Sequence, residues 1–244
     1  MRSKRFYKRK ALLIPAAGLC MLALAFFLYV SDYYRAGEAA AAALVSDDVT
    51  VKETDFGWLF DGPARDTALI FYPGGKVEET AYAPLLHRLA AGGMDVCLVR
   101  MPFRLAILDE NAAAGIMEQY DYAHWYIGGH SLGGVMAASY AAAHGDALAG
   151  TVLCAAYPIK ALEAGQAEIL LYGSEDGVLN RNELEETRRF SAGRLIEYEI
   201  AGGNHAQFGD YGIQRGDGAA LISAEEQQKQ TAEIILSAVA ENNQ

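Results

Sequence analysis

From residue 49 to the C-terminus, short continuous apolar runs alternate with longer segments in which apolar positions recur at helical spacing. Continuous apolar runs between turn residues are typical of strands that are buried on both faces of a parallel sheet. The runs that predict strands are residues 68–72, 95–101, 124–127, 150–155, 168–172 and 195–201. The segments that predict helices are residues 81–91, 110–119, 132–144, 182–190 and 224–240. This alternation predicts an α/β protein with a doubly wound, mostly parallel sheet and helices on both faces.

A hairpin is predicted ahead of the first of these strands. Residues 49–54 alternate at period two, and residues 58–60 can pair with them. Neither an internal repeat nor a second domain is evident in the pattern. Residues 49–244 are therefore predicted to form a single domain.

The N-terminal segment has a different pattern. Residues 1–10 are rich in Lys and Arg and contain no acid, and residues 11–30 contain no charged residue. A helix over residues 11–30 would be about 30 Å long, which matches the hydrocarbon core of a bilayer. Tyr29, Tyr33 and Tyr34 lie at its far end, where an aromatic belt is expected. We therefore predict one transmembrane helix that acts as an uncleaved signal-anchor.

The charge of the first residues also predicts an orientation. Residues 1–10 are expected to remain in the cytoplasm as a basic tail, which places the domain outside the cytoplasm. Residues 31–48 are predicted to be a polar, Ala-rich stalk between the anchor and the domain. A cleaved signal peptide is the alternative, with cleavage near residues 39–43. The anchor is favoured because the apolar run is longer than a usual signal core and no small-x-small site follows it closely.

Composition excludes several classes of function. The 244 residues carry a formal net charge of −11, and the part that follows the basic tail is more acidic still, which argues against a nucleic-acid partner. Cys20, Cys97 and Cys154 give no disulfide framework. The sequence has no zinc-protease or calcium-loop motif, and Gly75-Lys76 lacks the flanking residues of a phosphate loop. No metal and no cofactor are therefore predicted.

A Gly-x-Ser-x-Gly motif lies between a predicted strand and a predicted Ala-rich helix, at residues 129–133. A sharp strand-to-helix turn exposes the serine and holds it in a strained backbone conformation. Gly129 and Gly133 remove side chains that would collide across such a turn, and Gly134 lets the helix approach the sheet. Ser131 is therefore the candidate nucleophile, and Gly129 and Gly133 are the candidate glycines of the nucleophile elbow.

A serine nucleophile needs a base, and the chain has five histidines. His205 follows the predicted strand 195–201 in a glycine-flanked loop, and the C-terminal ends of parallel strands are where α/β sheets place their active sites. We therefore expect His205 to be the base. The other four are expected to be structural, with His130 as a packing residue beside the nucleophile: His87, His124, His130 and His144.

The acid that orients the base is expected after another strand. Residues 173–177 follow the predicted strand 168–172, and within them Asp176 is the better candidate while its neighbour Glu175 could substitute. The resulting chain order is Ser131, Asp176, His205. This order is that of α/β-hydrolases and differs from that of the two other serine-protease folds.

An oxyanion hole requires two backbone donors. One is expected from the N–H of Leu132, immediately after the nucleophile, and the other from the loop Pro73-Gly74-Gly75-Lys76 that follows the strand 68–72. Glycine lets the backbone approach the developing charge. Gly75 is therefore the first candidate for the second donor, and Lys76 is the second candidate.

With these motifs in place, residues 66–240 resemble the α/β-hydrolase superfamily, and within it the small lidless bacterial serine hydrolases of the dienelactone-hydrolase-like, α/β-hydrolase family 5 type. The motifs that carry the resemblance are YPGGKVE, GGHSLGG, YGSEDG and GGNHAQFGDYG. The resemblance implies a doubly wound sheet and a Ser131–His205–Asp176 triad. The sequence departs from the lipase pattern at Pro73, where many members have histidine. It departs from dienelactone hydrolases in its serine nucleophile, which makes their substrate unexpected here.

The sequence thus predicts a membrane-anchored serine hydrolase that cleaves an ester or related acyl bond outside the cytoplasm. Its expected partners are a small-molecule or envelope-displayed acyl substrate and, through the N-terminal helix, a lipid bilayer. An acyltransferase with the same triad is the main alternative, and a non-catalytic binding module on the same fold is a further one. Residues 156–167 are too few for a helical cap, so the site is expected to be shallow and open.

Overall fold

In the computed structural model of the protein, residues 2–63, 66–191 and 193–243 are described, with side chains from residue 17 onward. The chain divides into two compact units, residues 1–33 and residues 34–244.

The first unit consists mainly of one helix, α1 (Arg2–Ser31). This helix includes the predicted anchor, residues 11–30. The side chains of residues 2–16 lie outside those described, and they include the basic side chains of the predicted tail. Among the described residues, no helix combines the length and the apolar character that crossing a bilayer requires. The anchor and its orientation remain predictions.

The second unit is built on one sheet of eight strands. The strands are β1 (Thr50–Thr54), β2 (Gly57–Asp61), β3 (Thr67–Tyr72), β4 (Asp95–Val99), β5 (His124–His130), β6 (Gly150–Cys154), β7 (Ala167–Gly173) and β8 (Arg194–Ile200). Their order in the sheet is β1-β2-β4-β3-β5-β6-β7-β8. The first two strands form an antiparallel hairpin, β2 pairs antiparallel with β4, and all remaining neighbours are parallel.

Helices cover both faces of this sheet. They are α2 (Glu38–Ala43), α3 (Ala83–Ala91), α4 (Ala112–Met117), α5 (Leu132–Ala141), α6 (Arg181–Thr187) and α7 (Ala224–Asn242). Successive residues of a strand point to opposite faces. In β3, Leu69 and Phe71 are buried in the cluster that contains α3 and α7, whereas Ile70 and Tyr72 are buried in the cluster that contains α4 and α5. Because both faces of β3 are covered, it reads in the sequence as a continuous apolar run.

The fold class predicted from the sequence is confirmed, and every predicted strand and helix of the domain is present. The clearest difference in length is at β5, which continues through Gly128 and Gly129 to His130. These two glycines pair with Phe71 and Tyr72 of β3. They resemble turn residues in the sequence, but they serve close packing, because a Cβ on Gly128 would lie 2.2 Å from the carbonyl oxygen of Val152.

The second unit begins at Tyr34, earlier than the domain boundary predicted at residue 49. The predicted stalk, residues 31–48, contains α2, which packs against α3. Asp210 accepts hydrogen bonds from two backbone N–H groups of this segment, from Gly37 to its carbonyl oxygen at 2.7 Å and from Ala40 to its carboxylate at 2.8 Å. A composition rich in alanine therefore suits a packed helix here, because small side chains let α2 lie close to its neighbour.

Candidate active site

Ser131 lies in the sharp turn between β5 and α5. Its backbone has φ 52° and ψ −125°, a conformation that a non-glycine residue rarely adopts and that costs on the order of 1–3 kcal/mol. Two backbone hydrogen bonds hold it there: the N–H of Ser131 donates to Cys154 of β6, and its carbonyl accepts from Val135 of α5, both at 3.0 Å. The residue stands half-buried at the end of the sheet.

The turn is possible only because glycines flank the serine. A Cβ on Gly129 would lie 2.4 Å from the carbonyl oxygen of Tyr72, and one on Gly133 would lie 2.2 Å from the same atom. Real Cβ atoms do not approach a carbonyl so closely, so any larger residue would push α5 away from β3. The roles of Gly129 and Gly133 in the turn, predicted from the motif, agree with this geometry.

Asp176 and His205 meet at the C-terminal ends of β7 and β8. Oδ2 of Asp176 accepts a hydrogen bond from Nδ1 of His205 at 2.9 Å, and both side chains are essentially inaccessible to solvent. The other carboxylate oxygen accepts from the backbone N–H groups of Val178 at 2.9 Å and Leu179 at 2.8 Å. The Asp176 carboxylate is therefore fixed in position from both sides.

The environment of Asp176 favours its charged form. Burial by itself raises the pKa of a carboxyl group, but the hydrogen bond and the positive charge that His205 can supply lower it, as do the N–H groups of Leu179 and Val178. The lowering effects win, so the pKa of Asp176 lies below its ordinary value of 3.8. A carboxylate that stays ionised can both orient His205 and stabilise its protonated ring.

The second ring nitrogen of His205 is the one available for proton transfer. Nε2 of His205 is buried and has no hydrogen-bond partner within the described part of the chain. The ring lies beside that of His130, with 4.5 Å between the ring centroids, and His130 directly precedes Ser131. The three predicted triad residues are therefore gathered at one edge of the sheet.

The two N–H groups predicted to form an oxyanion hole belong to Leu132 and Gly75. Leu132 begins α5, so its N–H has no acceptor within that helix. Gly75 lies against it: a Cβ on Gly75 would be 3.0 Å from Cδ2 of Leu132. The N–H of Lys76 already donates to the carbonyl oxygen of Arg104 at 2.9 Å, whereas that of Gly75 donates to no atom of the described residues. The geometry favours Gly75 over Lys76 as the second donor.

The other candidates of the sequence lie elsewhere or serve other contacts. Oε1 of Glu175 accepts from the hydroxyl of Ser174 at 2.9 Å and does not reach His205. His144 stacks on Tyr140 and bonds to its carbonyl oxygen, while His87 lies against Asp48 on another part of the surface.

The two cysteines of the domain are packed into strands of the sheet. Cys97 and Cys154 are buried, and burial raises the pKa of each thiol to about 12. No group of three or more His, Cys, Asp or Glu side chains suited to a metal ion occurs in the described part of the chain.

Sequence reasoning did not identify Asp217, which connects the two loops of the candidate triad. Its carboxylate accepts hydrogen bonds from the N–H groups of His205 at 3.2 Å and Ala206 at 2.8 Å in the base loop, and from Gly177 at 3.1 Å in the acid loop. Asp217 stands between two glycines, which indicates a turn but not what its carboxylate binds. Only the approach of the two loops gives it this role.

Sequence reasoning also assigned His130 to packing alone. The side chain is buried, but Nδ1 lies 2.8 Å from the hydroxyl of Tyr82 and Nε2 lies 3.0 Å from the carbonyl oxygen of His205. Burial first, and the nearby charge of His205 second, lower the pKa of His130 well below its ordinary value of 6.5. His130 is therefore a neutral, fully hydrogen-bonded residue beside the base.

The site has no helical cap between β6 and β7. The connection between β6 and β7 contains no helix, as its length predicted. A cavity of about 810 Å³ lies between α2, α3 and α7, but none of Ser131, Asp176 and His205 lines it. Large apolar side chains are exposed in the loops after three of the strands that end at this edge: Phe103, Ile107, Leu108, Ile159 and Val178.

Comparison with known proteins identifies the family. A sequence profile of the alpha/beta hydrolase family matches residues 68–229, which is more than half of the chain. The chain belongs to the alpha/beta hydrolase family. A search of curated proteins gave no match.

Solved structures of low sequence identity share the fold. Esterase 2 of Thermogutta terrifontis, solved phosphorylated by paraoxon, is 17% identical with a TM-score of 0.53, covering 80% of this chain and 95% of its own. A dienelactone hydrolase of Anabaena variabilis is 10% identical with a TM-score of 0.55, covering 78% and 99%. A bacterial membrane phospholipase A is 12% identical with a TM-score of 0.60, covering 97% and 99%.

The acid is tested by a pair of adjacent substitutions. Asp176→Asn should keep the fold but lower kcat toward an activated ester by about 10⁴, because an amide no longer holds His205 in the tautomer that accepts the serine proton. Glu175→Gln is the matched control and should leave kcat within about twofold, since the Glu175 carboxylate bonds to Ser174, whereas that of Asp176 bonds to His205. Loss of activity in Glu175→Gln with Asp176→Asn unaffected would transfer the role to Glu175.

Proposed function

We propose that the protein is a serine hydrolase that cleaves an ester or related acyl bond through an acyl-enzyme intermediate. One observation carries the proposal: Asp176 binds Nδ1 of His205 at 2.9 Å, and Nε2 of the same ring has no partner among the described residues, beside the turn that presents Ser131. A serine hydroxyl becomes a nucleophile when such a base accepts its proton. Membership of the alpha/beta hydrolase family and the esterase among its structural neighbours support the same reaction class.

In the proposed mechanism, Oγ of Ser131 attacks the acyl carbon while Nε2 of His205 takes the hydroxyl proton. The electron pair of the carbonyl moves to its oxygen, and the N–H groups of Leu132 and Gly75 stabilise that oxyanion. As the tetrahedral intermediate collapses, His205 gives the proton to the leaving alcohol. Water then attacks the acyl carbon while Nε2 of His205 takes its proton. The bond between the acyl carbon and Oγ of Ser131 breaks, His205 returns the proton to Oγ, and the acid is released, while Asp176 stabilises the imidazolium in both steps.

The connection between β6 and β7 forms no cap that could cover an acyl chain, and apolar side chains such as Phe103 and Ile159 are exposed on the loops of this edge. We infer that the substrate carries a short acyl group, or is displayed on a larger surface such as the cell envelope. A neighbour named as a membrane phospholipase A makes an ester held in a lipid surface a reasonable member of that second class.

The nucleophile is tested with a fluorophosphonate probe. Wild-type protein should form one covalent adduct, because an organophosphorus centre captures an activated serine, and Ser131→Ala should form none. Ser139→Ala is the control, since Ser139 is buried within α5 and should be irrelevant to labelling. Absence of a Ser131-dependent adduct in folded protein would favour a binding module instead. If Ser131 is labelled and the protein without the probe transfers its acyl group to added alcohols faster than to water, the acyltransferase would be favoured.

The length of the acyl group is tested with p-nitrophenyl esters of two to sixteen carbons. Each buried CH₂ contributes about 0.8 kcal/mol, so a site that cannot cover the chain gains nothing from lengthening it. We expect kcat/KM to be highest for the short esters when they are dissolved as monomers. A steady rise of kcat/KM beyond about eight carbons would instead reveal a deep apolar pocket.

We also propose that α1 anchors the protein, with the domain outside the cytoplasm. The support is the sequence: a basic segment over residues 1–10 and an uncharged segment over residues 11–30. Protease added to intact cells should then remove residues that follow Ser31 and leave the tail protected, with permeabilised cells as the control. A domain that is protected in intact cells and digested after permeabilisation would show the opposite orientation.

A further inference from the structure

A chain of three hydrogen bonds runs from the oxyanion loop to the backbone of the base. The N–H of Gly74 donates to the hydroxyl oxygen of Tyr82 at 3.0 Å. The same hydroxyl lies 2.8 Å from Nδ1 of His130, and Nε2 of His130 lies 3.0 Å from the carbonyl oxygen of His205. Two side chains therefore connect the two loops whose relative position decides whether Ser131 can react.

The donor and the acceptor of each of these three hydrogen bonds follow from the groups at the two ends of the series. A carbonyl oxygen can only accept, so Nε2 of His130 carries the proton and donates to His205. Because the neutral ring then has a bare Nδ1, the hydroxyl of Tyr82 donates to it, and its oxygen remains free to accept from Gly74. One neutral tautomer of His130 satisfies all the partners, and the low pKa of this buried ring keeps that form.

The surrounding packing leaves these two side chains no other arrangement. Tyr82 is fully buried, and the ring of His130 packs against those of Tyr82, His205 and Phe208 at centroid distances of 5.6, 4.5 and 5.6 Å. Gly74 is required at the start of the chain, because a Cβ there would lie 2.7 Å from the Tyr82 hydroxyl and 2.8 Å from Nδ1 of His130. The glycine of the oxyanion loop thus makes room for the pair.

We propose that Tyr82 and His130 are positioning residues that hold the His205 backbone and the oxyanion loop in one arrangement. Neither touches the reacting atoms. The role rests on the proposed function, because it concerns how the same triad is aligned. It assigns the histidine of the Gly-His-Ser-Leu-Gly motif a polar task, in addition to filling space beside the nucleophile.

Removal of the Tyr82 hydroxyl is the first test, in the full-length chain. Tyr82→Phe leaves the N–H of Gly74 and Nδ1 of His130 unpaired, so the two loops lose their connection. A small displacement of catalytic groups is enough to lower kcat roughly 10- to 100-fold, while KM for a small activated ester should change little. The rate constant for labelling of Ser131 by a fluorophosphonate should fall by a similar factor, and this readout needs no knowledge of the substrate.

Tyr126→Phe is the matched control. Tyr126 is equally buried, and its hydroxyl bonds to Asn242 and Asn243 near the start of β5, at the other end of the strand from Ser131. The variant also loses buried hydrogen bonds, so its melting temperature should fall as in Tyr82→Phe. Its kcat and labelling rate should stay within about twofold of wild type.

Two substitutions of His130 distinguish its bond to His205 from its bond to Tyr82. Glutamine reaches about as far as Nε2 and can still donate an N–H to the His205 carbonyl, whereas asparagine reaches only about as far as Nδ1. We expect His130→Gln to retain more kcat and a faster labelling rate than His130→Asn, with KM similar in both. This pair decides the proposal if Tyr82→Phe does not fold.

The outcomes separate this proposal from the function on which it rests. Wild-type protein that is not labelled at Ser131 contradicts the proposed function and the positioning role together. Labelled wild type with an unimpaired Tyr82→Phe contradicts the positioning role alone, and so does an equal loss of kcat in Tyr126→Phe. Identical activity of His130→Gln and His130→Asn would likewise overturn the role of the His130–His205 bond.

Discussion

The close approach of three backbones at the end of β5 is the constraint on which the site depends. The turn at Ser131 packs directly against the end of β3. A Cβ at Gly129 or Gly133 would lie within 2.4 Å of the carbonyl oxygen of Tyr72. This contact brings the loop after β3 to the start of α5, so Gly75 lies against the side chain of Leu132. Close packing at this turn offsets the backbone strain at Ser131, because the neighbouring strands hold the residue in its conformation.

The acid and the base depend on a second layer of contacts, which fixes loops by their backbone. Asp217 ties the N–H groups of the base loop to that of Gly177 in the acid loop. Gln227 of α7 binds both the N–H and the carbonyl oxygen of Asn204, immediately before His205. Loops lack the regular backbone hydrogen bonds of a sheet, so here side-chain acceptors bind the backbone N–H groups of the loops instead. The 2.9 Å bond of Asp176 to His205 is the result of this arrangement.

The same edge shows why membership of a family leaves the substrate open. The short connection after β6 adds no helical cap to the site, and large apolar side chains are exposed in loops at the same edge of the sheet. Structural neighbours at 10–17% identity share the fold, yet one is an esterase, one a dienelactone hydrolase and one a membrane phospholipase A. Function is determined by the site and its loops, and the scaffold is common to many reactions. The chemistry proposed for Ser131 is therefore better defined than the molecule on which it acts.

The sequence by itself determined the fold class, because buried parallel strands leave continuous apolar runs and the helices between them keep their own period. It also indicated Ser131, Asp176 and His205, since each stands in a local glycine-rich motif after a predicted strand. Three features needed the tertiary structure: the bond between Asp176 and His205, the carboxylate of Asp217 between two loops, and the bonds of His130 to Tyr82 and His205. Each is a contact between residues far apart in the chain, and patterns within a short stretch of sequence do not show which distant residues meet. The packing of residues 34–48 also needed the tertiary structure. An Ala-rich sequence suits a stalk and a packed helix equally, and only the hydrogen bonds of this segment to Asp210 distinguish the two.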